Sequence, residues 1–282
     1  MRLHTLEHCP LVTPVRKGFR GGNIGFRDLM TGQTATPGNY GLQLVHIEDE
    51  YHTPQHRHNF EQIRIMLEGS FSFGKGLIQH EGSVGYFCEG THYTQKGEGR
   101  SVTLLLQIGG PSQQGFMSRA QLRSGVEQLC ERGKFEDGVF TWLDEAGKKH
   151  NQDSYEAVWE HVHGTSIVYP TPQYLAPVLL EPSRFAWRML SGGVHSKALG
   201  TFNGYGLQLS QLKLDAGAQL TLDTSARAQL LFCTIGEGNL ANETYGPWSS
   251  AEIAVGESIS LIAKTKSEFY VFGLPDFPTA QI

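Results

Sequence analysis

Two histidines spaced two residues apart mark the stretch of this chain that is best able to bind a metal. His56 and His58 are followed by the polar pair Glu61 and Gln62, and then by an apolar run that ends at Gly69. Residues i and i+2 of a β-strand project from the same face of a sheet, so the spacing predicts that both imidazoles face one site. Imidazole nitrogen binds Fe, Mn, Ni, Cu and Zn, and an oxygen of Gln62 or Glu61 is placed to complete the ligand set.

These residues resemble the first motif of the cupin superfamily, G-x5-H-x-H-x3-E-x6-G. His56, His58 and Gly69 fit the motif. Its carboxylate position falls on Gln62, and its leading glycine position falls on Glu50. The resemblance implies a small β-barrel with one divalent metal, in which Gln62 stands in the place of the carboxylate.

The second cupin motif, G-x5-P-x-G-x2-H-x3-N, is matched more weakly. Gly82 and Gly90 fit, and Cys88 stands where proline is usual. The third histidine position of the motif falls on Tyr93, while His92 lies one residue early. The strand register favours Tyr93 as the inward residue, but a bulge beside Gly90 would turn His92 inward instead. Both residues therefore stay open as the fourth metal contact, and Tyr93 is also open as a general acid.

An arginine is predicted beside the histidines, inside the same barrel. On a regular strand Arg64 shares a face with Gln62 and Met66. A buried arginine is costly unless it is paired. Arg64 therefore either forms an internal ion pair, with Glu61 or another acid, or binds a carboxylate or enolate of the substrate as a bidentate clamp.

Composition limits the classes of protein to which the chain can belong. Of 282 residues, 18% are charged and the formal net charge is −5, with no basic stripe, so we expect no nucleic-acid partner. No apolar run is long enough to span a bilayer, and the first residues lack the apolar core of a signal peptide. The four cysteines are scattered and predict no disulfide framework, so a reducing cytoplasm is the expected location.

The organisation of the chain predicts an all-β-dominated fold with a helical interruption. Short apolar runs alternate with glycine-rich turns between about residues 40 and 110, which is typical of a barrel or sandwich. Two helices are predicted after that, one capped by Ser118 and ending before Gly133, the other over 154–162 and ending before Gly164. We interpret this middle segment as a connector between two barrels.

The last hundred residues repeat the earlier β pattern without its histidines. When Gly236 is set against Gly69, Gln229 falls on Gln62, and the two histidine positions fall on Asp223 and Ser225. The third histidine position falls on Ser267. The predicted fold is therefore two cupin-type barrels of the double-stranded β-helix or jelly-roll type. The predicted domains are a metal-binding barrel over 1–112, a partly helical connector over 113–180, and a cupin-like barrel without metal ligands over 181–282.

The resemblance implies a function as a metal-dependent bicupin. The leading hypothesis is an Fe(II) dioxygenase that acts on a small, chelating aromatic or enolic acid, with Mn, Ni, Cu or Zn also compatible with the ligands. A cupin isomerase, lyase or decarboxylase acting on a keto or sugar acid is an alternative, as is a non-catalytic module that binds a small molecule. The expected partners are an anionic substrate and a second copy of the chain, in a homodimer that covers exposed strand edges.

Overall fold

The chain folds into two compact units in the computed structural model, which describes residues 1–12, 19, 23–34, 36, 38–48, 50–97, 99–224 and 226–276. One unit comprises Leu11–Leu180, and the other comprises Met1–Pro10 together with Glu181–Ile282. Within the described residues no helix has both the length and the apolar character that crossing a bilayer requires.

Strands dominate both units, and only two α-helices occur among the described residues. In chain order the strands are β1 (Arg2–His4), β2 (Ile24–Thr31), β3 (Tyr40–Ile47), β4 (Tyr51–His56), β5 (Phe60–Glu68), β6 (Ser70–Ser72), β7 (Ile78–His80), β8 (Val84–Phe87), β9 (Tyr93–Gly97), β10 (Ser101–Gly109), β11 (Gly133–Glu136), β12 (Val139–Leu143), β13 (Lys149–Asp153), β14 (Val178–Leu180), β15 (Arg188–Ser191), β16 (Val194–Thr201), β17 (Gln208–Leu214), β18 (Gln219–Asp223), β19 (Gln229–Ile235), β20 (Gly238–Leu240), β21 (Glu243–Tyr245), β22 (Ser250–Ile253), β23 (Ser258–Ala263) and β24 (Ser267–Gly273). The helices are α1 (Arg119–Leu129) and α2 (Ser154–His163).

The first unit contains a jelly-roll barrel made of two sheets. A six-stranded sheet has the order β14-β8-β5-β10-β3-β2, and a four-stranded sheet has the order β4-β9-β6-β7. An apolar cluster joins the two sheets, with Val45, Met66 and Leu105 contributed by the first and Phe71 and Tyr93 by the second. The inward faces of both sheets thus form one core, as alternating burial along antiparallel strands requires.

The middle of the chain forms a helical layer that belongs to the first unit. The hydroxyl of Ser118 caps α1 in a capping box with Gln121, and α2 ends at Gly164 in the left-handed conformation, so both predicted helices are confirmed. A three-stranded sheet, β11-β12-β13, lies between them and was not predicted. This layer shares an apolar cluster with the barrel residue Phe60.

The second unit repeats the barrel strand by strand. Its larger sheet has the order β1-β22-β19-β24-β17-β16-β15, and its smaller sheet has the order β18-β23-β20-β21. The strands β17-β24-β19-β22 therefore correspond to β3-β10-β5-β8 of the first unit. The turn glycines match as well, because Gly69 has φ +79° and Gly236 has φ +94°, and a Cβ at either would meet a backbone carbonyl oxygen at 2.5 or 2.4 Å.

Candidate functional site

A cavity of about 150 Å³ lies in the first unit and collects most of the side chains that could do chemistry. Its polar wall contains two imidazoles, two guanidinium groups and three glutamine amides: His56, His58, Arg64, Arg119, Gln43, Gln95 and Gln107. Aromatic and aliphatic side chains form the rest of the wall. A small, charged ligand with an apolar body would find partners for both of its parts here.

The two predicted histidines are adjacent and buried in the cavity wall. His56 is the last residue of β4, and His58 lies in the short connection before β5 rather than on a strand. Their ring centroids are 5.0 Å apart. His58 is further fixed by stacking on Phe60 at 4.5 Å and by an edge contact with Tyr155 at 4.9 Å.

The tautomer of His56 follows from its hydrogen bond to the backbone. Its Nδ1 lies 2.8 Å from the carbonyl oxygen of Pro54. A carbonyl oxygen only accepts, so Nδ1 carries the proton and Nε2 carries the lone pair of the neutral ring. Metal-binding histidines are commonly oriented by such a bond from the second ring nitrogen.

The residues at the other two ligand positions of the motif bond to each other. The amide nitrogen of Gln62 donates to the hydroxyl oxygen of Tyr93 at 2.7 Å. The amide oxygen of Gln62 accepts a hydrogen bond from Nη2 of Arg64 at 2.8 Å. Both side chains are buried, at 1% and 3% exposure, and neither is among the residues that line the cavity. Tyr93 is thus placed as a hydrogen-bond partner of Gln62.

Arg64 is surrounded by neutral groups. When the amide oxygen of Gln95 faces it, each terminal nitrogen of Arg64 donates one hydrogen bond to that oxygen, at 2.7 and 2.8 Å, while Nε has no hydrogen-bond partner among the described residues. The guanidinium carbon also lies 5.0 Å from the ring centroids of Phe73 and Phe87. Among the described residues no carboxylate lies within salt-bridge distance of Arg64. Its position in the cavity wall therefore leaves a positive charge facing the ligand space without a counter-ion from the described protein.

The remaining predicted residues lie away from the cavity. His92 is exposed just before β9, so the structure does not bring it to the histidine pair. Glu61 is buried on the opposite face of β5, where its carboxylate accepts a hydrogen bond from the Tyr86 hydroxyl at 2.9 Å. Burial and the nearby Glu61 charge raise the pKa of Tyr86 well above its usual value. The predicted alternative of an Arg64–Glu61 ion pair is not what the structure shows.

The donors present fit a metal that is held through few protein ligands. In the described part of the chain no three His, Cys, Asp or Glu side chains are grouped so that they could hold a metal. His56 and His58 provide two nitrogen donors, and the oxygen of Gln62 is shared with the cationic Arg64. The set is therefore compatible with a divalent ion on two imidazoles, with the other coordination positions left to water or substrate oxygens.

The helical layer supplies cavity residues that sequence reasoning missed. Phe116, Met117, Arg119, Leu122 and Tyr155 all line the cavity. The segment that we interpreted as a connector between barrels thus forms part of the wall of the first one. Nothing in the local sequence identifies Arg119 as a cavity residue, because an arginine in the first turn of a helix is ordinarily exposed to solvent.

The equivalent positions of the second barrel carry no comparable site. Asp223 is exposed, Ser225 lies outside the described residues, and Gln229 is half-buried. Ser267 is buried and accepts a hydrogen bond from Tyr245 at 2.9 Å. A large apolar cluster, which includes Leu231, Cys233 and Phe269, fills this barrel.

Comparison with solved structures relates this geometry to known proteins. A proposed dioxygenase from Nostoc punctiforme superposes with a TM-score of 0.64 at 9% identity, covering 99% of this chain and 84% of that one. The Mn(II)-containing oxalate decarboxylase of Bacillus subtilis gives a TM-score of 0.57 at 11% identity, covering 98% and 78%. Streptomyces albus HEPD, solved with 2-hydroxyethylphosphonate and Fe(II) bound, gives 0.57 at 12% identity, covering 99% and 77%.

These similarities concern the fold. All three neighbours have cupin folds, and the predicted fold class of two cupin-type jelly-roll barrels with a partly helical segment is confirmed. No protein-family model matches the sequence, and no curated protein matches it either.

Proposed function

We propose that this chain is a metal-dependent cupin enzyme that acts on a small organic anion in the first barrel. One observation carries the proposal: two buried imidazoles line the same cavity as an arginine that has no carboxylate partner among the described residues. The imidazoles suit a divalent cation, and the guanidinium suits the negative charge of a substrate. That solved proteins of the same fold hold Mn(II) or Fe(II) supports a divalent metal here.

Different residues of the cavity would bind the metal and the substrate. His56 and His58 would hold the metal, and the Pro54 carbonyl keeps Nε2 of His56 as the binding atom. Arg64 would hold the substrate anion, since its guanidinium is positioned by Gln62 and Gln95. The apolar wall excludes water and strengthens both interactions. When bound, the metal would polarise substrate oxygens and supply the redox chemistry of a dioxygenase.

Within this class we favour an Fe(II) dioxygenase that acts on a chelating aromatic or enolic acid. Few protein donors leave coordination positions open, which suits a substrate that binds through two adjacent oxygens. An isomerase, lyase or decarboxylase uses the same residues, with metal and arginine acting on a keto or sugar acid. Oxygen consumption with Fe(II) and a panel of catechols, hydroxybenzoates and β-diketones distinguishes the dioxygenase from these reactions.

A non-catalytic cupin that binds a small anion is the second candidate. The contact of Arg64 with the Gln62 oxygen favours it, because a cation beside a ligand position opposes the binding of a metal there. This candidate predicts that anions bind equally well with and without metal, and that no substrate of the panel is turned over.

The histidine pair provides the test of the proposal. We expect His56→Ala combined with His58→Ala to weaken Mn(II) binding by roughly 100-fold or more. Mutating residues that merely hydrogen-bond to a metal ligand already weakens metal affinity by about 10–100-fold, and here both nitrogen ligands themselves are lost. Equilibrium dialysis measures the affinity, and circular dichroism checks the fold. His52→Ala, an exposed histidine on the same strand, is the control. Unchanged Mn(II) affinity in the double variant would remove the metal from the proposal.

A further inference from the structure

Four adjacent strands place four side chains in one row, and three of them, Arg64, Leu105 and Gln43, line the cavity. Arg64 on β5 is paired with Leu105 on β10, and Leu105 is paired on its other side with Gln43 on β3. Gln43 is paired in turn with Asp28 on β2. Directly opposed residues of antiparallel strands point to the same face, so the row is polar at both ends and apolar at Leu105.

The far end of this row holds a second guanidinium. Arg119, from the first turn of α1, reaches the row, where Nε contacts Asp28 at 2.5 Å and Nη2 donates to Gln43 at 2.7 Å. Its guanidinium carbon also lies 4.2 Å from the centroid of the Phe26 ring. Three of its five N–H donors make no hydrogen bond to the described residues.

The two guanidinium groups differ in charge balance and in position. Among the residues that the structure describes, the partners of Arg64 are neutral, whereas Asp28 balances the charge of Arg119 and holds its plane in place. Strands lie about 4.8 Å apart, so the backbones of Arg64 on β5 and Gln43 on β3, two strands away, are about 10 Å apart. Leu105, which is buried, faces the space between them.

We infer that the ligand of this cavity is a dicarboxylate whose acid groups are separated by a short apolar chain. One carboxylate is held by Arg64 and the other by the open donors of Arg119, and the chain between them packs on Leu105. This inference rests on the proposed anion site at Arg64 and adds Arg119 as the residue that determines specificity. A diacid whose two carboxyl carbons are bonded directly to each other is too short to reach both guanidinium groups.

Matched acids test the inference by calorimetry. Succinate, glutarate and adipate are titrated against butyrate, pentanoate and hexanoate, with metal-free protein and again with saturating Mn(II). We expect one diacid to bind at least about tenfold more tightly than the monoacid of equal length, because its second carboxylate gains charge-assisted hydrogen bonds. The advantage should depend on chain length, since only one spacing matches the row.

Variants of α1 assign that advantage to Arg119. Arg119→Gln should remove the preference for the diacid and leave the affinity for the monoacid within about twofold, because the monoacid uses only Arg64. Arg123→Gln, an exposed arginine one turn further along α1, should change neither affinity. If Arg119→Gln does not fold, Arg119→Lys keeps the charge near Asp28 and should lose the dependence on chain length.

The possible failures are distinct. If monoacids bind and no diacid binds more tightly, the inference is wrong and the proposed anion site stands. If a diacid preference survives in both Arg119 variants, the second carboxylate is bound elsewhere and the inference is also wrong. If no acid binds to the wild-type protein in either metal state, both the inference and the anion site fall.

Discussion

Arg64 is the residue whose chemistry most limits the classes of ligand that the cavity can bind. Its guanidinium lies in the cavity wall with two amide oxygens and two aromatic rings around it, and no described carboxylate is near it. Arg64 is half-buried, and removing a positive charge even partly from water is costly unless a ligand or counter-ion balances it. The planar fork of arginine also matches a carboxylate in a way that the single ammonium group of lysine does not.

We predict that Arg64→Lys lowers kcat/KM, with a loss of transition-state binding free energy of about 2–5 kcal/mol, because a charge-assisted contact to the substrate is lost. Metal content and melting temperature should stay close to those of the wild type. Arg100→Lys, on an exposed arginine of the same barrel, is the matched control and should have no effect. A variant that melts much earlier but retains its specific activity would show that Arg64 serves stability instead.

Gln62→Glu tests whether this position contributes to metal binding. A unit charge about 4 Å from a cation is worth about 4 kcal/mol at an effective dielectric of 20, part of which is spent on the pair that Glu would form with Arg64. We therefore expect divalent metal to bind at least about tenfold more tightly and the anion to bind more weakly. Titration of both ligands measures this, with Gln33→Glu on the surface as the control.

If neither affinity changes, Gln62 is not a ligand. Glu61, which lies on the opposite face of β5 beside Tyr86, would not replace it without a change in the strand register.

At the scale of elements, two turns of the first barrel depend on glycines with positive φ. Gly69 and Gly82 both have φ +79°, but a Cβ at Gly69 would lie 2.5 Å from the carbonyl oxygen of Arg100, while a Cβ at Gly82 meets nothing within 4 Å. The two positions therefore separate the cost of the backbone conformation from the cost of crowding.

We predict that Gly82→Ala destabilises the protein by about 1–2 kcal/mol through its backbone conformation alone. Gly69→Ala should cost about 1–3 kcal/mol more, because the added methyl group forces β5 and β10 apart. Thermal or urea unfolding measures both variants. Equal losses at the two positions would mean that the turn at Gly69 relaxes without resistance.

Local sequence signals predicted some elements well and others not at all. The helices were predictable because Ser118 and Gly164 are local cap signals, and the barrel strands β3, β5 and β10 were predictable from their apolar alternation. Strands β11 and β13 are short and mostly polar, and the apolar strand β12 has only five residues, so no periodic pattern marked them. His58 was expected on a strand, but β4 ends two residues before it.

The site was predictable only where its residues are close together in the sequence. Spacing alone indicated His56, His58 and Arg64, which all line the cavity. It could not choose between His92 and Tyr93, because one residue of register reverses the face of a strand. Arg119 reaches the cavity only through the packing of α1, and a single sequence does not encode that contact in any local pattern.

At the scale of the whole molecule, two barrels of one topology have different interiors. The first encloses a cavity whose mainly apolar wall also carries imidazole, guanidinium and amide groups, whereas the second contains an apolar cluster around Leu231 and Phe269. The hydroxyl of Ser267, at the third histidine position of the second barrel, is bonded to Tyr245. The proposed metal and anion sites therefore lie in the first barrel, and the interior of the second barrel is a packed apolar core.

We predict that the protein binds one divalent metal ion per chain, because within the described ranges of the chain only the first barrel carries paired imidazoles. Elemental analysis after loading with Fe(II) or Mn(II) and desalting should give about one equivalent, given the two nitrogen donors at a single site. Two equivalents per chain would mean that the second barrel binds metal through residues other than those at the motif positions.

Two separate segments of the chain contribute to the cavity wall, so the residues of the proposed metal site and some of the residues that contact the ligand can change independently. The histidines and Arg64 come from the barrel, whereas Phe116, Arg119 and Tyr155 come from the helical layer. Mutations in that layer can change which ligands the protein binds while the residues of the proposed metal site are preserved. Grafting helical layers from related barrels onto this one is accordingly a direct route to altered selectivity, and natural divergence can follow the same route.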